Sequence, residues 1–126
     1  MTALKDWFTK NHYVTSPRDP DAFFRPRRYA KTREEVLSAV RPVIEKLSGW
    51  KILKHHEIQG RLQAARRGFL GLGEEVDLYI VQGLDGITTL EITSRSRVGK
   101  GDWGQNKRNL KAFLEEMDKG LPGLPG

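Results

Sequence analysis

The order of residues predicts an α+β fold: a helix, a four-stranded antiparallel meander and a C-terminal helix, with an extended basic N-terminal arm in front. Three patterns carry that prediction. Residues 32–48 repeat apolar side chains every three to four positions behind a Thr-x-x-Glu start. Residues 50–95 break into four short runs in which apolar positions alternate, with glycine-bearing turns between them. After residue 103 the helical repeat returns. At 126 residues the size prior is a single domain. We place it at 32–119, with the arm at 1–31 and a flexible tail at 120–126.

In the first ten residues Leu4, Trp7 and Phe8 share one short helical face, which either docks on the domain or touches a partner or membrane. Pro17, Pro20 and Pro26 bias residues 11–31 away from helix, so this arm should be extended and irregular. Tyr13, Phe23, Phe24 and Tyr29 are its packing points, and Arg18, Arg25, Arg27, Arg28, Lys31 and Arg33 make it the most basic region. Aromatics interleaved with arginines suit stacking on bases and neutralising phosphates. The plainer reading, which we favour, buries the rings and solvates the arginines; Arg25, Arg27 and Arg28 are then candidate partner contacts. Thr32 and Glu35 cap a helix over 33–48, whose buried face is Val36, Ala39, Val40, Val43, Ile44 and Leu47. Pro42 should bend it and Gly49 end it.

Strands are expected at 50–57, 61–67, 74–81 and 87–95, the second at an edge or half exposed. Val76, Leu78 and Ile80 face one way, as do Leu90, Ile92, Ser94 and Ser96 in the last strand. Pairing Tyr79 with Glu91 sets Asp77 opposite Thr93 and Glu75 opposite Arg95. The register two residues away opposes Asp77 to Glu91, and like charges directly opposite repel. Between the second and third strands, Gly68–Gly73 is an apolar, glycine-rich loop. Its Phe69, Leu70 and Leu72 either meet a partner or fold over the core. The last helix should run from about Trp103 to Asp118, with Asp102 and Gln105 at capping-box spacing.

The chain is organised around residues 94–106, where strand end, glycine turn and helix start meet. Asn106 falls on the apolar face of the last helix, so it must find polar partners; an unsatisfied buried amide costs about 1–3 kcal/mol. Ser94 and Ser96, on the inward face of the preceding strand, are the nearest hydroxyls. We therefore expect a polar knot of Ser94, Ser96 and Asn106. Ser94-x-Ser96-Arg97-Val98-Gly99 followed by Asp102-x-Gly104-x-Asn106 resembles the signature of domain-of-unknown-function family fourteen ninety-nine, found in bacteria and plastids. Phe69, Glu74, Glu75 and Val76 resemble its aromatic–acidic strand, and Tyr13-Val14-Thr15-Ser16 its N-terminal motif. The resemblance covers about residues 11 to 118. The chain departs from the family pattern at Thr93, where Arg is usual, at Glu74 and Glu75, where an Asp pair is usual, and in lacking a Cys after the early Asn. The resemblance implies a fold and a set of motif residues (Ser94, Ser96, Arg97, Gly99, Asp102, Gly104, Asn106) but no established activity.

Composition narrows the function classes. Hydrophobic content of 37% and charged content of 30% exclude a disordered chain. Without cysteine there is neither disulfide nor thiolate chemistry. No apolar run approaches the ~20 residues that span a bilayer, and no signal-peptide apolar segment is evident. We expect a soluble cytoplasmic protein, peripheral to a membrane complex at most. The net charge of +6 favours acidic partners, although no nucleic-acid-binding motif accompanies it. His55 and His56 are neighbours on a strand and point to opposite faces, so no metal site is expected. No histidine is placed to activate Ser94 or Ser96, and Glu75, Asp77 and Glu91 lie on an open sheet face, so catalysis and cofactors are not expected. Arg95, Arg97 and Lys100 beside two hydroxyls and a helix start form a candidate anion site, opposed by Asp102. The leading expectation is a non-catalytic binding or assembly module for a protein or membrane-associated complex. Small-anion binding at the Ser94–Asn106 turn comes second and nucleic-acid binding third.

Overall fold

A computed structural model describes residues 12–67, 73–96 and 104–125. Its strands are β1 (His12–Val14), β2 (Arg27–Tyr29), β3 (Trp50–His56), β4 (Arg61–Arg67), β5 (Gly73–Gln82) and β6 (Thr88–Ser96), and its helices are α1 (Arg33–Lys46) and α2 (Gln105–Gly120). The fold is α+β, with six antiparallel strands in one sheet and one central and one C-terminal helix.

The capping box forms as the spacing requires. Thr32 Oγ1 accepts from the Glu35 backbone N–H at 3.1 Å, and Glu35 Oε1 accepts from the Thr32 N–H at 2.9 Å. The backbone bond to Thr32 holds the Glu35 carboxyl below its ordinary range. Pro42 lies inside α1 without ending it. The helix stops at Lys46, before the residue 48 that periodicity suggests, where the Leu47 N–H is shared by the Val43 and Ile44 carbonyls.

Both helices lay their apolar stripes on the same sheet face. Val36, Val40, Val43 and Ile44 of α1 and Leu110, Phe113, Leu114 and Met117 of α2 meet Leu62, Val76, Leu78, Ile80, Leu90 and Ile92. Each fully buried side chain of this size contributes about 1.5–3 kcal/mol relative to exposure. The Trp50 and Phe113 rings stack at 6.2 Å between centroids, joining β3 to α2. Between β5 and β6 the register is the one that avoids like-charge opposition: Tyr79 faces Glu91, Asp77 faces Thr93 and Glu75 faces Arg95.

Three expectations need correction. The sheet has six strands, not four, because the arm is neither separate nor merely extended. β1 pairs with the upper half of β6 (His12 with Arg95, Val14 with Thr93) and β2 with the lower half (Arg27 with Leu90, Tyr29 with Thr88). Together they make one interrupted edge strand. Residues 15–26 leave it as an excursion, pinched at its neck by the Ser16 N–H on Phe24 O at 3.1 Å. At the break Thr15 replaces the missing pairs: its N–H donates to Ile92 O at 3.0 Å and its Oγ1 accepts from the Ile92 N–H at 3.0 Å. The reason is that β6 alone would leave a row of backbone groups unpaired. Second, of the two positions expected for β4 the edge is wrong: it lies between β3 and β5, half exposed with Arg61, Gln63 and Arg66 partly open, and β3 is the edge. Third, α2 runs from Gln105 to Gly120 with Gly104 as its N-cap; the Gln105 amide donates to Asn109 Oδ1, and the Asp102 of the expected capping box lies outside the described residues. Beyond α2, Leu121 packs against the core and the Leu124 N–H donates to Arg28 O at 2.7 Å, so the tail turns back along β2.

Candidate functional site

The last inward positions of β6 are Ser94 and Ser96, and the first turn of α2 sets Asn106 and Asn109 above them, three residues apart on one helical face. Ser94 Oγ donates to Asn106 Oδ1 at 2.7 Å, and Asn106 Nδ2 donates to Ser96 Oγ at 3.1 Å. Asn109 Nδ2 donates to Ser94 Oγ at 3.1 Å and to Glu74 Oε1 at 2.7 Å, while its Oδ1 accepts from Gln105 Nε2 at 2.8 Å. Glu74, on the inward face of β5 opposite Ser96, also accepts from Arg66 Nη1 at 3.2 Å. Glu74, Ser94, Asn106 and Asn109 are all buried. The cluster therefore spans β4, β5, β6 and α2 and extends well beyond the serine–asparagine knot that spacing anticipates. Glu74, Asn109 and Arg66 escape a reading of local pattern. The signals present were Asn109 at three residues from Asn106, and Glu74 in the parity of Val76 and Leu78.

These groups bind each other. The Ser94 hydroxyl proton is directed at an amide oxygen, which is not a base, and the Glu74 charge is matched by Arg66. The arrangement clamps the end of the sheet to the start of the helix. Gly104 enters α2 with φ +79°, a left-handed conformation that favours glycine, and its carbonyl accepts the first helical bond from the Arg108 N–H. Arg97, Gly99, Lys100 and Asp102 lie outside the described residues, as do Phe69, Leu70 and Leu72 of the apolar loop and Leu4, Trp7 and Phe8 near the start.

Arg95 does not join the serines. Strand parity sends it to the opposite sheet face, where its Nη2 lies 3.4 Å from Glu75 Oε2 and 3.4 Å from Asp77 Oδ2. The Glu75–Arg95 pair is exposed, a geometry worth about 0–1 kcal/mol. Asp77 is buried, and Arg61 grips its Oδ1 through Nε at 3.2 Å and Nη2 at 2.9 Å. That hydrogen-bonded carboxylate raises the already high pKa of Arg61.

Two of the three arm arginines expected at a partner surface are spent inside the protein. Arg27 forks onto Asp118 (Nε–Oδ1 2.9 Å, Nη2–Oδ2 3.0 Å), donates to the carbonyls of Phe23 and Arg25 at 2.8 Å each, and stacks over the Phe23 ring. Arg25 Nε donates to Asp19 O at 2.9 Å. Arg28 is exposed. Within the excursion, Tyr13 Oη donates to Asp19 Oδ2 at 2.6 Å. Burial, then this bond, pushes the Tyr13 pKa up to about 12, and the same bond is the main reason the Asp19 carboxyl is held below its ordinary value.

His55 and His56 point to opposite faces, His55 to Arg41 and His56 to Gln63. Among the described residues no three His, Cys, Asp or Glu side chains are grouped to share a metal ion. No helix among them is long and apolar enough to cross a membrane. No curated protein matches the chain. The family described as "Protein of unknown function (DUF1499)" matches residues 4–117. The stretch matched runs from the arm through both helices and the whole polar cluster, and on that extent the chain belongs to this family.

Proposed function

We propose that the protein is a non-catalytic docking module whose sheet face opposite the helices receives a protein partner. The observation that carries this reading is on β5. This is an interior strand, yet Tyr79 and Val81 stand exposed on the face away from α1 and α2, with Val14 of β1 exposed on the same side. Around them run Arg61, Asp77, Arg95 and Glu75, a fixed set of charges of both signs. A surface of scattered apolar contacts within an ordered polar frame suits a protein better than a bilayer, which has no use for carboxylates in fixed positions. The polar cluster supports the non-catalytic part, since its hydroxyls and amides are engaged in joining strand to helix. Anion capture at the turn has less support, because Arg95 and the serines lie on opposite faces.

The test is cross-linking in the native cell with wild type, a Tyr79→Ser/Val81→Lys double variant, and a Lys111→Glu control on α2. A partner band present with wild type and control and absent with the double variant, at unchanged thermal stability, is the expected result. Equal recovery with all three would place the contact elsewhere.

A further inference from the structure

A second feature lies on the helix side of the sheet. Between α1 and the β3–β4 hairpin is a cavity of about 190 Å³, below the roughly 300–1,000 Å³ of drug-sized sites. Leu37 and Ile80 form its apolar floor with Gly60. Gly60 is needed there: its φ is +64°, and a Cβ would collide with the Ile80 carbonyl.

Of the charges lining this cavity, Arg61 is committed to Asp77, while Arg33, Glu34 and Glu57 are not paired among the described residues. Arg33 is half-buried, its stem lying over Gly60, and its guanidinium has no hydrogen-bond or ion-pair partner among the described residues. The other half-buried arginines described, at 25, 27, 41, 61 and 66, each hand the guanidinium to a partner. Glu34 and Glu57, exposed at the rim, likewise make no ion pair among the described residues. His55 contributes a donor of known identity. Its Nδ1 is 2.9 Å from Arg41 Nη2, and a guanidinium only donates, so the neutral ring carries its proton on Nε2.

We propose that this cavity binds a free α-amino acid with a short aliphatic side chain. The carboxylate meets Arg33 and the His55 Nε2–H, the ammonium meets Glu57 and Glu34, and the side chain rests on Leu37 and Ile80. The lining carries both signs, the Arg33 guanidinium with Arg61 behind it and the two rim carboxylates; a simple anion meets the carboxylates, a simple cation the guanidiniums, and a zwitterion answers both.

The experiment is an amide NMR titration of the full chain with L-leucine, isocaproate and isoamylamine, the last two each lacking one charge of leucine. L-Leucine is expected to shift Arg33, Leu37, His55 and Gly60 in a saturable way, and each single-charge analogue to bind about tenfold or more weakly. Arg33→Gln should weaken L-leucine by a similar factor, and Glu57→Gln should weaken L-leucine while leaving isocaproate unchanged or tighter. Chemical shifts distant from the cavity report that both variants are folded. No saturable shift with L-leucine, equal binding of isocaproate, or an Arg33→Gln variant that binds as wild type would each overturn the proposal.

Discussion

At the scale of single residues, a buried amide must be matched atom by atom. Asn106 is fully buried between two hydroxyls, and its position on the apolar face of α2 already demanded such partners. Asn106→Ala removes the acceptor of the Ser94 hydroxyl proton, leaving Ser94 Oγ only its bond from Asn109, and should cost about 1–3 kcal/mol. The Ser94→Ala/Asn106→Ala cycle, followed by urea unfolding, should show a coupling of about 0.5–3 kcal/mol. Additive losses would mean that the two side chains do not depend on each other. Asn109 and Glu74 were harder to anticipate, because a carboxylate facing a core is acceptable only if a cation arrives. Arg66 arrives from the neighbouring strand, a fact of pairing and not of spacing. Tyr13 and Asp19 make a pH prediction of definite sign. The folded Tyr13 pKa lies near 12 against an ordinary 10.0, so its contribution is complete below pH 10 and fades as pH rises towards 12. Asp19 is shifted down, so its contribution is complete above the ordinary value of 3.8 and fades as pH falls through and below it. Tyr13→Phe should therefore flatten the stability profile at both extremes, read as melting temperature against pH. Profiles parallel to wild type would refute the pairing.

Among elements, the arm shows how weak local signals become a strand. β1 and β2 are three residues each, too short to display alternation, and the prolines at 17, 20 and 26 all fall outside them. What orders them is the free edge of β6, and Arg27 fastens the second segment to the end of α2 through Asp118. Replacing Arg27 with Ala removes a two-pronged charged pair together with two carbonyl contacts. Hydrogen exchange should accelerate at Thr88 to Leu90, which pair with β2, while β4 and β5 keep their protection. Unchanged exchange on β6 would mean that the edge is held without this arginine. On the other side of the sheet, β3 has no strand beyond it among the described residues. Lys51 and Lys54 flank an irregularity between Ile52 and Lys54, both known devices against edge-to-edge association. At the start of α2, which begins at Gln105, Asn106 and Asn109 reach the sheet within the first turns.

For the molecule as a whole, two helices on one face of a sheet leave the other face for something else, and that asymmetry organises both functional readings. The face proposed for docking and the cavity proposed for an amino acid share Arg61, whose guanidinium lies over the Tyr79 ring and whose side chain also lines the cavity. Much of the frame was visible in the amino-acid order: the α+β class, the α1 capping box, the inward parity of β5 and β6, their register, and the meeting of Ser94 and Ser96 with Asn106. Each of these follows from periodicity, or from charge opposition between strands joined by a short turn. Only tertiary structure decided that the arm completes the sheet, that Arg25 and Arg27 bond within the protein, that Arg95 turns away from the serines, and that the Arg33 guanidinium has no partner among the described residues. Those outcomes depend on which distant backbone or charge comes within about 3 Å, and a hydrogen bond that short-ranged leaves no trace in the spacing of residues along the chain.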